Sequence, residues 1–170
     1  MDTFVRSARP DEYERVGDIT IAAYERLEVD HLFDGYDAEI RNTVGRAERA
    51  DVLVAVDSDD TVLGAVTFVS DPDSPWLEWN EPDEVQFRLL AVDPAVQGRG
   101  IGELLARECI ERARALGAPL LVHTTQWMHG AHRLYPRIGL RRAPERDVHD
   151  VYQGWTFQAY ALDARPGRHD

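Results

Sequence analysis

Apolar residues along the chain change their spacing several times, and each change marks an element. Behind Pro10-Asp11, the residues Val16, Ile19, Ala23 and Leu27 recur at three- and four-residue steps, which predicts a helix over 11–27. Residues 30–35 read as a loop, and Ile40, Val44 and Ala47 predict a second helix over 36–49. The period then drops to two in 52–56, and 62–69 returns as a strand. The Asp57-Ser58-Asp59-Asp60 turn between them makes the pair a hairpin. Residues 70–83, rich in Pro, Asp and Trp, read as a loop, and 84–92 as a strand that Asp93-Pro94 ends. After a glycine-rich turn, Ile101, Leu104, Leu105, Cys109 and Ala113 form one stripe of a helix that runs to about Leu116. The pairs Glu103–Arg107 and Glu108–Arg112 lie outside the stripe, and Gly117 is a left-handed stop. A short buried strand over 120–124, a short helix over 130–138 and a last strand over 157–162 complete the pass. Helices first, then a hairpin, then strand–helix–strand predict an α/β chain with a mixed sheet.

Composition narrows this picture. At 170 residues, 44% hydrophobic and 29% charged, the chain reads as one globular domain over 1–170 that needs no disulfide or metal staple. No apolar run approaches the ~18 residues of a membrane span, and Met1–Arg6 lacks the apolar core of a signal peptide. With a single cysteine, Cys109, a reducing, cytoplasmic setting is the expectation. The net charge of −12 argues against nucleic acid or anionic membrane as partner. It is unevenly spread: residues 1–90 hold 22 acidic and 8 basic side chains, net −14, and the remainder is net +2. All 19 basic residues are arginine. Without lysine, Schiff-base chemistry, pyridoxal phosphate, the kinase lysine and the phosphate-loop lysine are excluded.

The strongest chemical signal is Gln97-Gly98-Arg99-Gly100-Ile101-Gly102, between a strand and a helix. Glycine lets a backbone approach a ligand closely, and the first helix amides carry unpaired donors and the positive end of the dipole. Such a turn either seats a pyrophosphate, with Arg99 adding charge, or simply bends tightly. A dinucleotide fingerprint needs glycine where Glu103 stands, and a phosphate loop needs lysine, so both are rejected.

What remains is Q-x-x-G-x-G, as Gln97, Gly100 and Gly102, behind Leu89-Leu90-Ala91-Val92-Asp93-Pro94. It resembles the coenzyme A pyrophosphate motif of the GNAT superfamily of N-acetyltransferases. Ala131-His132-Arg133-Leu134-Tyr135, followed by Gly139-Leu140, resembles that family's A-x-x-L-Y-x-x-x-G-F segment, with Leu140 in place of Phe. The close likeness covers about residues 84–142. It implies a central mixed sheet whose strands 84–92 and 120–124 splay apart between flanking helices, and acetyl-CoA as co-substrate without a metal. It further implies that the turn Gln97–Gly102 holds the pyrophosphate, with Gly98, Arg99 and Ile101 among its contacts. The pantetheine arm would pair along Leu90, Ala91 and Val92 and pass Ala131. Met128 stands where the family often has an asparagine that contacts this arm, so apolar packing replaces a hydrogen bond there.

Acetylating an amine requires the amine to be neutral. An alkyl ammonium of pKa about 10.4 is neutral in roughly one molecule per 2,500 at pH 7, a cost of about 4.6 kcal/mol that a general base offsets. Some family members carry a glutamate base at the position of Gln86, which cannot serve. By strand alternation Glu84, Gln86, Arg88, Leu90 and Val92 share a face, so Glu84 is either the base or a solvated strand-end carboxylate. The resemblance puts the thioester carbonyl near the Leu90 amide, an oxyanion donor, and Tyr135 beside the sulfur, where it protonates the thiolate or else packs as a core tyrosine. His123, His129 and His132 lack the spacing and partners of a metal site. Trp76, Trp79 and Trp127 either line an acceptor pocket or cover the core. The reading is direct acetyl transfer to a primary amine on a small molecule. Its alternatives are a non-catalytic acyl-CoA-binding module and a protein N-terminal acetyltransferase. Look-alikes commonly dimerise through their last strands.

Overall fold

The computed structural model describes residues 2–27, 35–150 and 154–164. In chain order its elements are β1 (Phe4–Ser7), α1 (Tyr13–Glu25), α2 (Tyr36–Arg41), α3 (Thr43–Arg49), β2 (Asp51–Val56), β3 (Val62–Val69) and β4 (Val85–Val92). Then follow α4 (Ile101–Leu116), β5 (Leu120–Thr125), α5 (His129–Arg137), β6 (Arg141–Arg142), β7 (Val148–Asp150) and β8 (Trp155–Leu162). The strands form one sheet in the order β1-β2-β3-β4-β5-β8-β6, with β7 also on β8. Every pairing is antiparallel except β4 with β5. That parallel pair is registered only at Val85–Leu120 and Gln86–Leu121, after which the two strands part.

Both faces of the sheet are covered. α4 and α5 pack Leu105, Cys109, Ile110 and Tyr135 against Phe87, Val85 and Phe68 on one side. On the other, Val16 and Ile19 of α1 cover Val54, Val56 and Ala91, and Tyr24 with Ile40 covers Leu89. Strands β2 and β3 are buried nearly throughout, so their sequence reads as an apolar run rather than an alternation.

Two departures from the sequence expectation have local causes. The expected helix over 36–49 is two helices meeting at Asn42, whose side-chain oxygen accepts from the Gly45 amide at 3.0 Å and caps α3. At this corner Arg46, fully buried, donates to the Glu39 and Ile40 carbonyls at 2.8 Å each, and so satisfies the open end of α2. The strand β1 was not expected, because four residues at a sheet edge show too little periodicity. The loop expected over 30–35 lies, apart from Gly35, outside the described residues.

The alternation assumed along β4 also fails. Thr67 pairs Arg88 while Ala65 pairs Ala91, so one extra residue is inserted, and Leu89 takes φ +54°. Arg88 and Leu89 therefore face the α1–α2 side together, and Leu90 and Val92 turn to the α4 side. The expected common face of Glu84, Gln86, Arg88, Leu90 and Val92 is divided at the bulge.

Candidate active site

Where β4 and β5 part, a cleft of about 990 Å³ opens, lined by Phe87–Val92 on one side and by Val122–Thr125 and α5 on the other. At one end sits the glycine turn. Asp93 caps the turn over 94–96 by accepting from the Ala95 amide at 2.9 Å, and Gln97 donates to the Val92 carbonyl at 3.2 Å. Gly98 and Gly100 both take φ +80°, a conformation other residues rarely adopt, and a side chain at either would project into open space. Helical bonding begins with the Leu104 amide on Gly100, so the amides of Ile101, Gly102 and Glu103 precede it with no carbonyl four residues back in the helix.

Gln97, Gly98, Gly100, Ile101 and Gly102 line this end, and the exposed Arg99 does not. Two cations that the sequence reading passed over do: Arg133 and Arg137, at i,i+4 on α5. Arg137 pairs with Glu103 at 2.8 Å, whereas Arg133 has no ion pair among the described residues. The motif spacing A-x-x-L-Y held the signal, since a residue two before the tyrosine is carried beside the turn once α5 packs there.

Midway, Leu90, Ala91 and Val92 border the gap where β4 has lost its β5 partner, so backbone groups on that side have no ladder bonds. Opposite them, Ala131 lines the cleft, and Met128 receives a hydrogen bond on its sulfur from Thr124 Oγ1 at 3.1 Å. Tyr135 is buried with its ring edge-on to Phe87 at 5.7 Å and to Tyr160 at 5.3 Å, and it reaches the same cleft. Burial pushes its phenol well above the usual range, so it stays protonated. The helix that carries it is pinned by His132, which bridges the Thr125 carbonyl at 2.9 Å and the Tyr160 hydroxyl at 2.7 Å.

Glu84 is not brought to the cleft. Both its oxygens are held by Arg146, at 2.7 and 2.9 Å, one also accepts from the Glu81 amide at 2.7 Å, and the side chain is 9% exposed. Burial, the largest single influence, would raise its pKa, but the Arg146 and Glu81 hydrogen bonds and the Arg146 charge together outweigh it and hold the group below the usual carboxylate range. A carboxylate so engaged makes a poor proton acceptor. Gln86 is engaged as well, clamping the Glu78 backbone by two hydrogen bonds, of 3.1 and 2.6 Å.

The group the sequence reading set aside lies in the gap instead. His123 on β5 lines the cleft, and its Nε2 is 3.0 Å from the Arg146 carbonyl. A carbonyl only accepts, so Nε2 carries the proton and Nδ1 keeps its lone pair. Desolvation lowers the His123 pKa below its ordinary 6.5, with the Arg146 charge adding to the effect against the hydrogen bond to the Arg146 carbonyl. Of the tryptophans, Trp79 and Trp155 line the cleft; Trp76 packs on Arg88 at 5.8 Å, and Trp127 sits edge-on to Trp155 at 5.0 Å. Among the described residues no group of three His, Cys, Asp or Glu is placed to hold a metal, and no helix is long and apolar enough to cross a membrane.

A sheet opened between two parallel neighbours, with an open glycine turn and unpaired helix amides at one end of the opening, has the form of a cleft for a phosphate-bearing co-substrate. The profile of the Acetyltransferase (GNAT) family matches residues 13–140, and the chain belongs to that family and is an acetyltransferase. Among solved structures it is similar to a histone acetyltransferase HPA2-related acetyltransferase from Corynebacterium glutamicum (17% identity, 99% of both chains, TM-score 0.75). A GNAT family acetyltransferase from Brucella melitensis, solved in complex with acetyl-CoA, shares 24% identity over 97% of this chain and 90% of that one, at a TM-score of 0.63. The ribosomal-protein-S18-alanine N-acetyltransferase from Escherichia coli shares 16% identity over 99% of both, at 0.70. No curated protein gives a significant match.

Proposed function

We propose that the protein transfers the acetyl group of acetyl-CoA directly to the primary amine of a small molecule, with no covalent enzyme intermediate. The observation that carries this reading is the juxtaposition, in one cleft, of the open glycine turn, the unpaired edge of β4, the Tyr135 phenol and the His123 imidazole. The residues present fit the coenzyme: Gly98 and Gly100 leave room at the turn, the helix amides 101–103 and Arg133 would hold its phosphates, and Leu90–Val92 would pair its arm.

When bound, acetyl-CoA supplies an acetyl group activated as a thioester. The chain's residues then have separable roles. His123 Nδ1 takes the proton of the incoming amine, directly or through water, in place of the Glu84 expected from the sequence. The Leu90 amide donates to the oxygen that gains charge as the C–N bond forms. Tyr135 donates its proton as the C–S bond breaks and is reprotonated from solvent.

The test is thiol release from acetyl-CoA with a panel of primary amines, read together with the mass of each product. Acetylated amine in equal amount to free thiol is expected. Thiol release at the same rate without an amine, or none with any amine, would overturn the reading.

A further inference from the structure

The end of the cleft away from the glycine turn is walled by aromatic rings. Trp79 lies 5.1 Å from the His123 ring and 5.1 Å from Phe157, and Phe157 lies 6.3 Å from Trp155. Trp79 is 45% exposed, an unusual state for so large an apolar ring. Its backbone is also held at φ +53°, and Asp83, further along the same loop, at +65°. Strain at a non-glycine residue persists only where surrounding structure enforces it, and such residues cluster at ligand sites.

The enforcing contact is identifiable. Arg146, fixed by two hydrogen bonds to Glu84, donates a third, at 3.1 Å, to the Trp79 carbonyl. Arg146 also presents the carbonyl that orients His123. One ion pair thus sets both the exposed indole and the base beside it. The charges at this end point the same way. Glu78 lines it with a half-exposed carboxylate. Its cations are committed: Arg88 to Glu39 and Glu78, at 3.0 and 3.3 Å, and Arg146 to Glu84.

We infer that the acceptor is an arylalkylamine: an ammonium on a short tether from an apolar ring, the ring packing on Trp79 and Phe157 and the ammonium meeting Glu78 beside His123. The Glu84–Arg146 pair acts as a positioning pair for that platform. The inference rests on the acetyl-transfer reading for the fate of the amine, and on the aromatic wall and charge arrangement for its identity. Aromatic faces attract both rings and cations. A carboxylate on the acceptor would meet no uncommitted cation here among the described residues, so amino acids are disfavoured.

The experiment compares 2-phenylethylamine, n-butylamine and phenylalanine on the whole protein, by calorimetric Kd without coenzyme and by kcat/KM with acetyl-CoA. 2-Phenylethylamine should bind about tenfold or more tighter than the other two, a difference of ~1.4 kcal/mol. Trp79→Ala should erase that advantage and Trp79→Phe retain most of it. Glu84→Gln and Arg146→Met should raise KM for 2-phenylethylamine about tenfold while kcat keeps its acid limb, which Arg146→Met moves upward by removing a charge that depresses the His123 pKa. Equal Kd values for the three amines, or a Glu84→Gln variant that loses kcat and its acid limb with KM intact, would overturn the inference. Ring-selective binding without turnover would sink the transfer reading alone. Acetylation of all three amines at equal kcat/KM would sink this inference and leave transfer standing.

Discussion

A phenol packed edge-on to Phe87 and Tyr160 resists ionisation, because burial penalises the phenolate and keeps the proton on Tyr135 at every working pH. Tyr135→Phe keeps those ring contacts and removes only the donor. It should lower kcat by about 10²–10⁴-fold, the usual worth of general acid catalysis, with the melting temperature nearly unchanged. Near wild-type turnover in that variant would make the tyrosine structural. At His123 the lowered pKa fixes the sign of the pH effect. The imidazole is the free base above pH 6.5 and gains its proton only below its depressed folded value. Wild-type kcat should therefore fall only on the acid side of 6.5, and His123→Gln should reduce kcat about 10²–10⁴-fold and abolish that limb. A pH–rate profile settles it, and an unaltered acid limb in the variant would place the base elsewhere.

At the scale of elements, the turn and helix that would hold the coenzyme can be perturbed without disturbing the fold. Gly100 sits at φ +80°, so any side chain there strains the backbone as well as intruding on the ligand. Gly102 is helical, and a methyl group on it would make only an ordinary 3.5 Å contact with Val92. Alanine is favoured over glycine in a helix by about 1 kcal/mol, so Gly102→Ala should leave stability equal or higher. Its methyl nonetheless intrudes on the cleft, and acetyl-CoA should bind about tenfold or more weakly by calorimetry. Unchanged affinity would detach the pyrophosphate from this turn. The α2–α3 corner is the opposite case, since Arg46 is 0% exposed and serves two carbonyls. Arg46→Met fills similar volume, takes the Arg46 donor from the Ile40 carbonyl at about 1–3 kcal/mol, and leaves the Glu39 carbonyl only the Asn42 amide at 3.2 Å. A loss of roughly 5–15 °C in melting temperature should follow in a chain of this size. A smaller loss would mean water enters the corner.

Over the whole molecule, charge is divided between the two halves of the chain. Residues 1–90 carry −14 and the rest +2. The fold places Glu78 at the acceptor end of the cleft and Arg133 and Arg137 at the glycine turn. Such a field concentrates cations at one end and phosphates at the other. For matched cationic and neutral amines, the ratio of kcat/KM values should favour the cation at low salt and shrink as ionic strength shortens the screening length. A ratio independent of salt would show that the −14 serves solubility alone.

Elements with strong period or punctuation were legible in the sequence: α1, the β2–β3 hairpin, α4 behind its glycines and α5 with its tyrosine. So was the turn Gln97–Gly102, because glycine spacing is a local property of backbone conformation. The division of the helix at Asn42 was not, because Arg46 stabilises it from a position whose burial no periodicity reveals. Nor was the Leu89 bulge, which depends on β4 pairing with β3 and reverses which side chains face each layer. The base shows the difference most plainly. Alternation alone put Glu84 on the reacting face, but folding brings Arg146 from 62 residues away to engage it. The same Arg146 carbonyl fixes the tautomer of His123, a residue that looked like ordinary strand polarity. Sequence determines what each residue is able to do, through backbone freedom, polarity and pKa range. Tertiary structure decides which of them does it, because a proton acceptor is defined by whether another group already occupies its lone pairs.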